Sequence, residues 1–274
     1  MIYFLKTLLF LSIMTLTLEA QSAPKADLWE RWLQHNTKNE SNIDHKPWSL
    51  FLKKYVIEDS TQLNRVAYSK VTVEDRTALK QYIQLTSSLP ISEFNQEQQR
   101  AFWINLYNAL TIDIILDHYP VESILKIKLS SGFFTRGPWK KKIVSVESEA
   151  LSLDDIEHRI LRPIWKDPRI HYAVNCASIG CPNISTQAFT AENMEEQLDN
   201  AAVSFINHPR GVNVKSGKLI VSSIYEWFQD DFGGNDKGVI QHLTHYAKPE
   251  LQKRLATFNK IHNDQYNWQL NDYK

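Results

Sequence analysis

Apolar positions in the first half of the chain recur at helical spacing, with no glycine before Gly132 to break them. Thr72-Val73-Glu74-Asp75 has the form of a capping box, predicting a helix to about Ser88 that Pro90 ends. Asn95 can cap a second helix running to about His118, before Pro120. Its centre, Ala101-Phe102-Trp103-Ile104-Asn105-Leu106-Tyr107-Asn108-Ala109-Leu110, is apolar nearly all round, which predicts a buried central helix. Asn105 and Asn108 share one face of it. Buried amides cost free energy unless bonded, so the pair either braces neighbouring backbone, the favoured reading, or lines a pocket with Asn108 as a donor.

The second half mixes periods. Lys142–Val146 alternates as a strand, and Ser152-Leu153-Asp154-Asp155 is a capping box predicting a helix through Leu161, before Pro163. Arg169–Asn175 alternates as a half-exposed strand would. Thr190 caps a predicted helix to about Asn207. Val212–Val214 and Leu219–Val221 flank Ser216-Gly217 as a hairpin, and short helices follow near Ile224–Phe228 and Val239–Tyr246. The expected fold is α+β: one helix-rich domain with a small sheet in its second half.

The N-terminus reads as an address. Lys6 precedes an apolar run from Thr7 to Leu18, with small residues at Ala20, Ser22 and Ala23. Residues 1–22 are expected to be a signal peptide and 23–274 a single domain, the mature chain beginning at Gln21 or Ala23. The run is shorter than the ~20 residues that span a bilayer. The expectation is a periplasmic or secreted protein with no membrane span after cleavage.

Composition narrows the functions. Lys+Arg and Asp+Glu number 31 each in 274 residues, which argues against a general nucleic-acid binder. Eight glycines and two cysteines argue against phosphate-cradling loops and a disulfide scaffold. Charge is uneven locally. Lys126, Lys128, Arg136, Lys140, Lys141 and Lys142 precede an acidic run of Glu147, Glu149, Asp154, Asp155 and Glu157. These form two solvated faces or, on a functional reading, a rim for an anionic substrate or envelope partner. Asp231-Phe232-Gly233 mimics a kinase triplet, but no partner motif accompanies it.

The densest reactive segment is His171-Tyr172-Ala173-Val174-Asn175-Cys176-Ala177-Ser178-Ile179-Gly180-Cys181-Pro182, with Glu157-His158 upstream. Nucleophilic thiol chemistry needs a cysteine, a base and a group orienting the base. Cys176, His158 or His171, and Glu157 supply those types. On a strand, His171 would lie about 15 Å from Cys176, which favours His158 as base. Two other readings stand beside this one. Cys176 and Cys181 can form a disulfide, contributing about 2 kcal/mol by chain entropy and fixing loop shape, or Cys176 is an inert buried residue. His158, His171, Cys176 and Cys181 can also ligate zinc in kind, but their spacing matches no common site, so no metal or other cofactor is expected.

Four segments together resemble the domain of unknown function 547 family: Ala101–Ala109, Leu151–His158, His171–Pro182, and Leu219–Phe232 with Ser222, Trp227 and Asp231. The resemblance covers about residues 65–258 and is closest to the family's exported bacterial type. Ala67 stands before Tyr68 where the family pattern carries an acid. The resemblance implies a domain and no reaction. Two functions are carried forward. One is a cysteine-dependent hydrolase or acyltransferase with Cys176 as nucleophile, so that whether the chain is an enzyme stays open. The other is a non-catalytic cell-envelope binding module with a Cys176–Cys181 disulfide.

Overall fold

Helix α3 (Gln96–His118) is the axis on which the molecule is built, because its middle, Gln98 to Ile112, is buried all round. Phe102, Ile104, Leu106 and Ala109 are fully buried, and Trp103 and Tyr107 are 1% exposed. Burying each large side chain contributes about 1.5–3 kcal/mol, so this helix alone organises the main core. The computed structural model describes residues 24–129 and 137–274. The expected signal peptide and both cleavage positions fall outside the described residues, as does Arg136.

Around α3 pack α1 (Lys46–Tyr55) and α2 (Val73–Ser87). Thr72 caps α2 by accepting the Asp75 N–H at 3.2 Å, and Asn95 caps α3 by accepting the Gln98 N–H at 2.9 Å, as the spacing predicts. The first half is not purely helical. Strands β1 (Val56–Glu58) and β2 (Asn64–Val66) form an antiparallel hairpin. Its turn needs no glycine: the Asp59 carboxylate accepts the Thr61 N–H at 2.8 Å and the Leu63 N–H at 3.2 Å, and Gln62 takes the left-handed φ of 64°.

Strands β3 (Val144–Val146) and β4 (Glu149–Leu151) form a second hairpin. The Ser152 box closes as expected, Ser152 Oγ accepting the Asp155 N–H at 3.2 Å and Asp155 Oδ2 the Ser152 N–H at 2.8 Å. The helix after it departs from expectation. Asp155–Leu161 is a π-helix, and the chain continues through Pro163 as α4 (Arg162–Trp165). Proline tolerates this place because its missing N–H is replaced from outside. Asp27 N–H donates to the His158 carbonyl at 2.9 Å and Trp29 N–H to the Arg159 carbonyl at 3.0 Å.

The expected strand over Arg169–Asn175 is instead one helical turn, α5 (Ile170–Ala173), leading into extended Val174. Asp167 starts the turn by accepting the Arg169 N–H at 2.8 Å, and Pro168 O accepts the His171 N–H at 3.2 Å. All four residues of α5 are buried, so the alternation in sequence marks no solvent face.

Helix α6 (Met194–Ile206) begins four residues after Thr190, which closes a turn with Asn193. It leads to a second core with the antiparallel pair β5 (Val212–Lys215) and β6 (Lys218–Ser222), then α7 (Ile224–Trp227), α8 (Asp236–Tyr246) and α9 (Pro249–Leu255). Strand β7 (Asn263–Gln265) joins β6 in parallel. The C-terminal segment after it ties the two cores together: Ile179 N–H donates to Gln269 O, Gly180 N–H to Asn267 O and Leu270 N–H to Glu122 O, each at 2.8 Å. The fold is α+β in one domain, with its sheets small and mostly in the second half. No helix among the described residues is long and apolar enough to cross a membrane.

Candidate functional site

The two cores meet where the π-helix, α5 and the turn before α8 converge. The wide π turn sets Glu157 and His158 side by side toward His171, all three buried. The His171 Nδ1 and His158 Nδ1 atoms lie 3.8 and 3.9 Å from Glu157 Oε1. The other nitrogen of His171, Nε2, is 2.7 Å from Asp231 Oδ2, which also accepts from Arg162 Nε at 2.6 Å. Arg162 donates further to Pro24 O at 2.7 Å and lies over the Phe228 ring at 4.6 Å. Phe228 stacks on His171 with centroids 4.3 Å apart. Asp231 also lines an open groove of about 630 Å³ with Phe232, His242 and Tyr246, so the buried network reaches the surface there.

Burial sets the charges. It lowers the His158 pKa to about 4, an effect the Arg162 guanidinium reinforces and Glu157 only partly opposes, so the imidazole is neutral near pH 7. Burial, with the Glu157 charge beside it, raises the Asp154 carboxyl to about 6. Asp231 is half-buried, and hydrogen bonds from His171 and Arg162 hold it well below the usual carboxylate range. Tyr107, on α3, is pushed well up by burial and by the Glu157 carboxylate facing it. The cluster can hold a proton on Asp154 and orient neutral His158.

The loop carrying the cysteines is held from below by amides. Asn108 Nδ2 donates to Ala173 O, and Asn108 Oδ1 accepts the Asn175 N–H, both at 2.8 Å. Asn175 then fixes the turn, donating to Pro182 O and accepting the Ala177 N–H, again at 2.8 Å. Asn105 does the same for Phe189, bonding its carbonyl at 2.7 Å and its N–H at 3.0 Å. These amides brace backbone, Asn108 using its donor on Ala173 and its acceptor on Asn175.

Cys176 and Cys181 are bonded to each other. Their polar surroundings are hydroxyls and backbone, not imidazoles: Tyr266 Oη lies 3.0 Å from Cys176 Sγ and 3.2 Å from Cys181 Sγ, and Ser178 Oγ 3.3 Å from Cys176 Sγ. Gly180 allows this approach. A Cβ there would meet Asn267 N at 2.8 Å and the Tyr266 ring at 2.9 Å. Tyr266 continues into a partly buried aromatic wall. Its ring centroid is 4.6 Å from Trp268 and 4.8 Å from Trp227, and Trp139 meets Trp268 at 5.9 Å.

Of the residues expected at the site, Glu157, His158 and His171 come together. Cys176 joins a different group, through its disulfide to Tyr266 and Ser178. Among the described residues no group of three or more His, Cys, Asp or Glu side chains is placed to hold a metal ion. The expected basic rim is partly neutralised: Lys142 pairs with Asp155 at 2.5 Å and Lys126 pairs with Glu122, while Lys128, Lys140 and Lys141 are exposed. Sequence reasoning missed Arg162, Tyr266 and Trp268, and named Asp231 among the residues of the family resemblance without giving it a role at the site. The aromatic pair in the polar tail, Tyr266-Asn267-Trp268, was the signal available for two of them.

Residues 91–206 match the model of a family described as "Protein of unknown function, DUF547". That span runs from before α3 to the end of α6 and includes Asn108, Glu157, His158, His171, Cys176 and Cys181. Asp231, Tyr266 and Trp268 lie beyond it. No curated protein and no solved structure matches the chain.

Proposed function

We propose, for a chain whose residues 91–206 belong to the DUF547 family, that it is an exported binding module of the cell envelope rather than a cysteine hydrolase or acyltransferase. The observation that carries this reading is the Cys176–Cys181 bond, which occupies the thiol that acyl transfer would need. The surroundings agree with it. Among the described contacts, the imidazoles of His158 and His171 face carboxylates, Arg162 and Phe228, and neither meets a sulfur. A disulfide also suits an oxidising compartment, in keeping with a signal peptide at residues 1–22 and a periplasmic or secreted destination of the bacterial type. The aromatic wall of Tyr266, Trp268 and Trp227 forms the ligand-facing side. Exposed Lys128, Lys140 and Lys141 offer an anionic envelope partner a separate contact.

A thiol-reactive activity probe on the purified mature protein tests the choice. The module reading expects no labelling of the native chain. Labelling of Cys176 that is lost in His158→Ala or His171→Ala would restore the thiol enzyme. N-terminal sequencing of exported material, expected to begin at Gln21 or Ala23, tests the address; a retained Met1 contradicts it.

A further inference from the structure

We propose that the Cys176–Cys181 bond is an exchangeable disulfide, attacked by an external protein or small-molecule thiolate at Cys176 and releasing Cys181 into a hydrogen-bonding site already in place. The proposal goes beyond the binding reading and does not depend on what the aromatic wall receives.

The two sulfurs are not equivalent. Cys176 is partly exposed, whereas Cys181 is 3% exposed beneath it, so an incoming group meets Cys176 first. The Cys176 N–H reaches Cys181 Sγ at 2.9 Å, and the Tyr266 hydroxyl sits between the sulfurs, 3.2 Å from Cys181 Sγ and 3.0 Å from Cys176 Sγ, able to turn its proton to whichever sulfur carries charge. Ser178 Oγ, 3.0 Å from Tyr266 Oη, holds that hydroxyl in place. Burial raises the Tyr266 pKa, so the phenol keeps the proton it donates. A disulfide sulfur is a weak acceptor and a thiolate a strong one. These contacts therefore strengthen as the bond breaks, and they favour the leaving group over the intact bond.

The step balances without a further reagent. The external thiolate donates its electron pair to Cys176 Sγ, forming a mixed disulfide. The Cys176–Cys181 bond breaks and its pair stays on Cys181 Sγ as a thiolate. If the attacking group belongs to a dithiol, its second thiolate displaces Cys176 Sγ. The dithiol is then oxidised to a disulfide and this chain is reduced by two electrons.

The test uses the full mature protein without denaturant. Dithiothreitol should open the bond, with two alkyl groups added on subsequent trapping. Cys181→Ser should form a mixed disulfide through Cys176 when given oxidised glutathione, the Cys176 thiolate attacking one sulfur and one glutathione thiolate leaving. In a glutathione redox buffer, Tyr266→Phe should shift the equilibrium toward the disulfide by roughly threefold to tenfold, the factor of one lost hydrogen bond. That shift separates a prepared leaving-group site from a merely structural tyrosine and remains readable if Cys181→Ser fails to fold. A bond that survives dithiothreitol until the chain is unfolded would overturn the proposal, as would an unchanged equilibrium in Tyr266→Phe. Two alkyl groups added before any reductant would instead defeat the binding-module reading.

Discussion

Asn108 clamps Asn175: one side-chain amide in the middle of α3 accepts the Asn175 N–H while donating to Ala173 O, each at 2.8 Å. A helix whose middle is buried all round thereby sets the start of the cysteine loop. Asn108→Leu would leave both backbone groups buried and unpaired. The expected loss is roughly 2–4 kcal/mol, readable as a lower urea midpoint with the slope unchanged. An unaltered midpoint would mean the clamp contributes nothing.

The N-terminal segment completes the π-helix in place of Pro163. Removing residues 24–29 takes away the amides that satisfy the His158 and Arg159 carbonyls and the carbonyl that Arg162 holds. Hydrogen exchange should then quicken across Asp155–Trp165, while α6 keeps its protection. Equal protection in both chains would show that the π turn stands without this segment.

Asp154 offers a pH test with a definite sign. Its folded pKa of about 6 stands above the ordinary 3.8, so the folded state binds the proton more tightly than the unfolded chain. The carboxylate therefore lowers stability above pH 6, and the penalty fades as pH falls from 6 to below 4. Asp154→Asn should be more stable than wild type at pH 7.5 by about 1–3 kcal/mol, with the gain gone near pH 4. His158 works against acid stability in both chains, because its lowered pKa makes protonation costly between pH 6.5 and 4. The two stability curves share that contribution apart from the Asp154–His158 contact at 3.8 Å, which the substitution also alters. A constant difference across pH would contradict the account.

The β3–β4 turn carries removable strain. Glu147 and Ser148 both hold left-handed φ, 47° and 69°. Glu147 is fixed by Arg31 at 2.6 Å and by the Ser92 N–H at 3.0 Å, but Ser148 is exposed. Ser148→Gly should stabilise by about 0.5–1 kcal/mol, the steric relief exceeding the extra chain entropy of glycine. A lower melting temperature would rule that out.

The parts of the fold written in local chemistry were legible. The caps at Thr72 and Asn95, the Ser152 box and the Ser216-Gly217 hairpin rest on neighbours within a few residues. The backbone-bracing amides followed from two polar residues in an apolar helix. What failed depended on distant chain. Pro163 reads as a stop, because nothing near it reveals that Asp27 and Trp29 supply amides across the fold. The alternation over Arg169–Asn175 reads as a strand, because burial on both sides of α5 comes from separate elements. The same limit applies at the site. The Glu157, His158 and His171 types were visible, but Asp231 and Tyr266 reach it from 60 and 90 residues away in sequence.

The most direct measurement is a non-reducing peptide map of the exported protein, alkylated before digestion. The account predicts one cross-linked species joining the Cys176 and Cys181 peptides, with no alkylated cysteine. Alkylated Cys176 in the native, unreduced protein would contradict it and return the thiol to candidacy as a nucleophile.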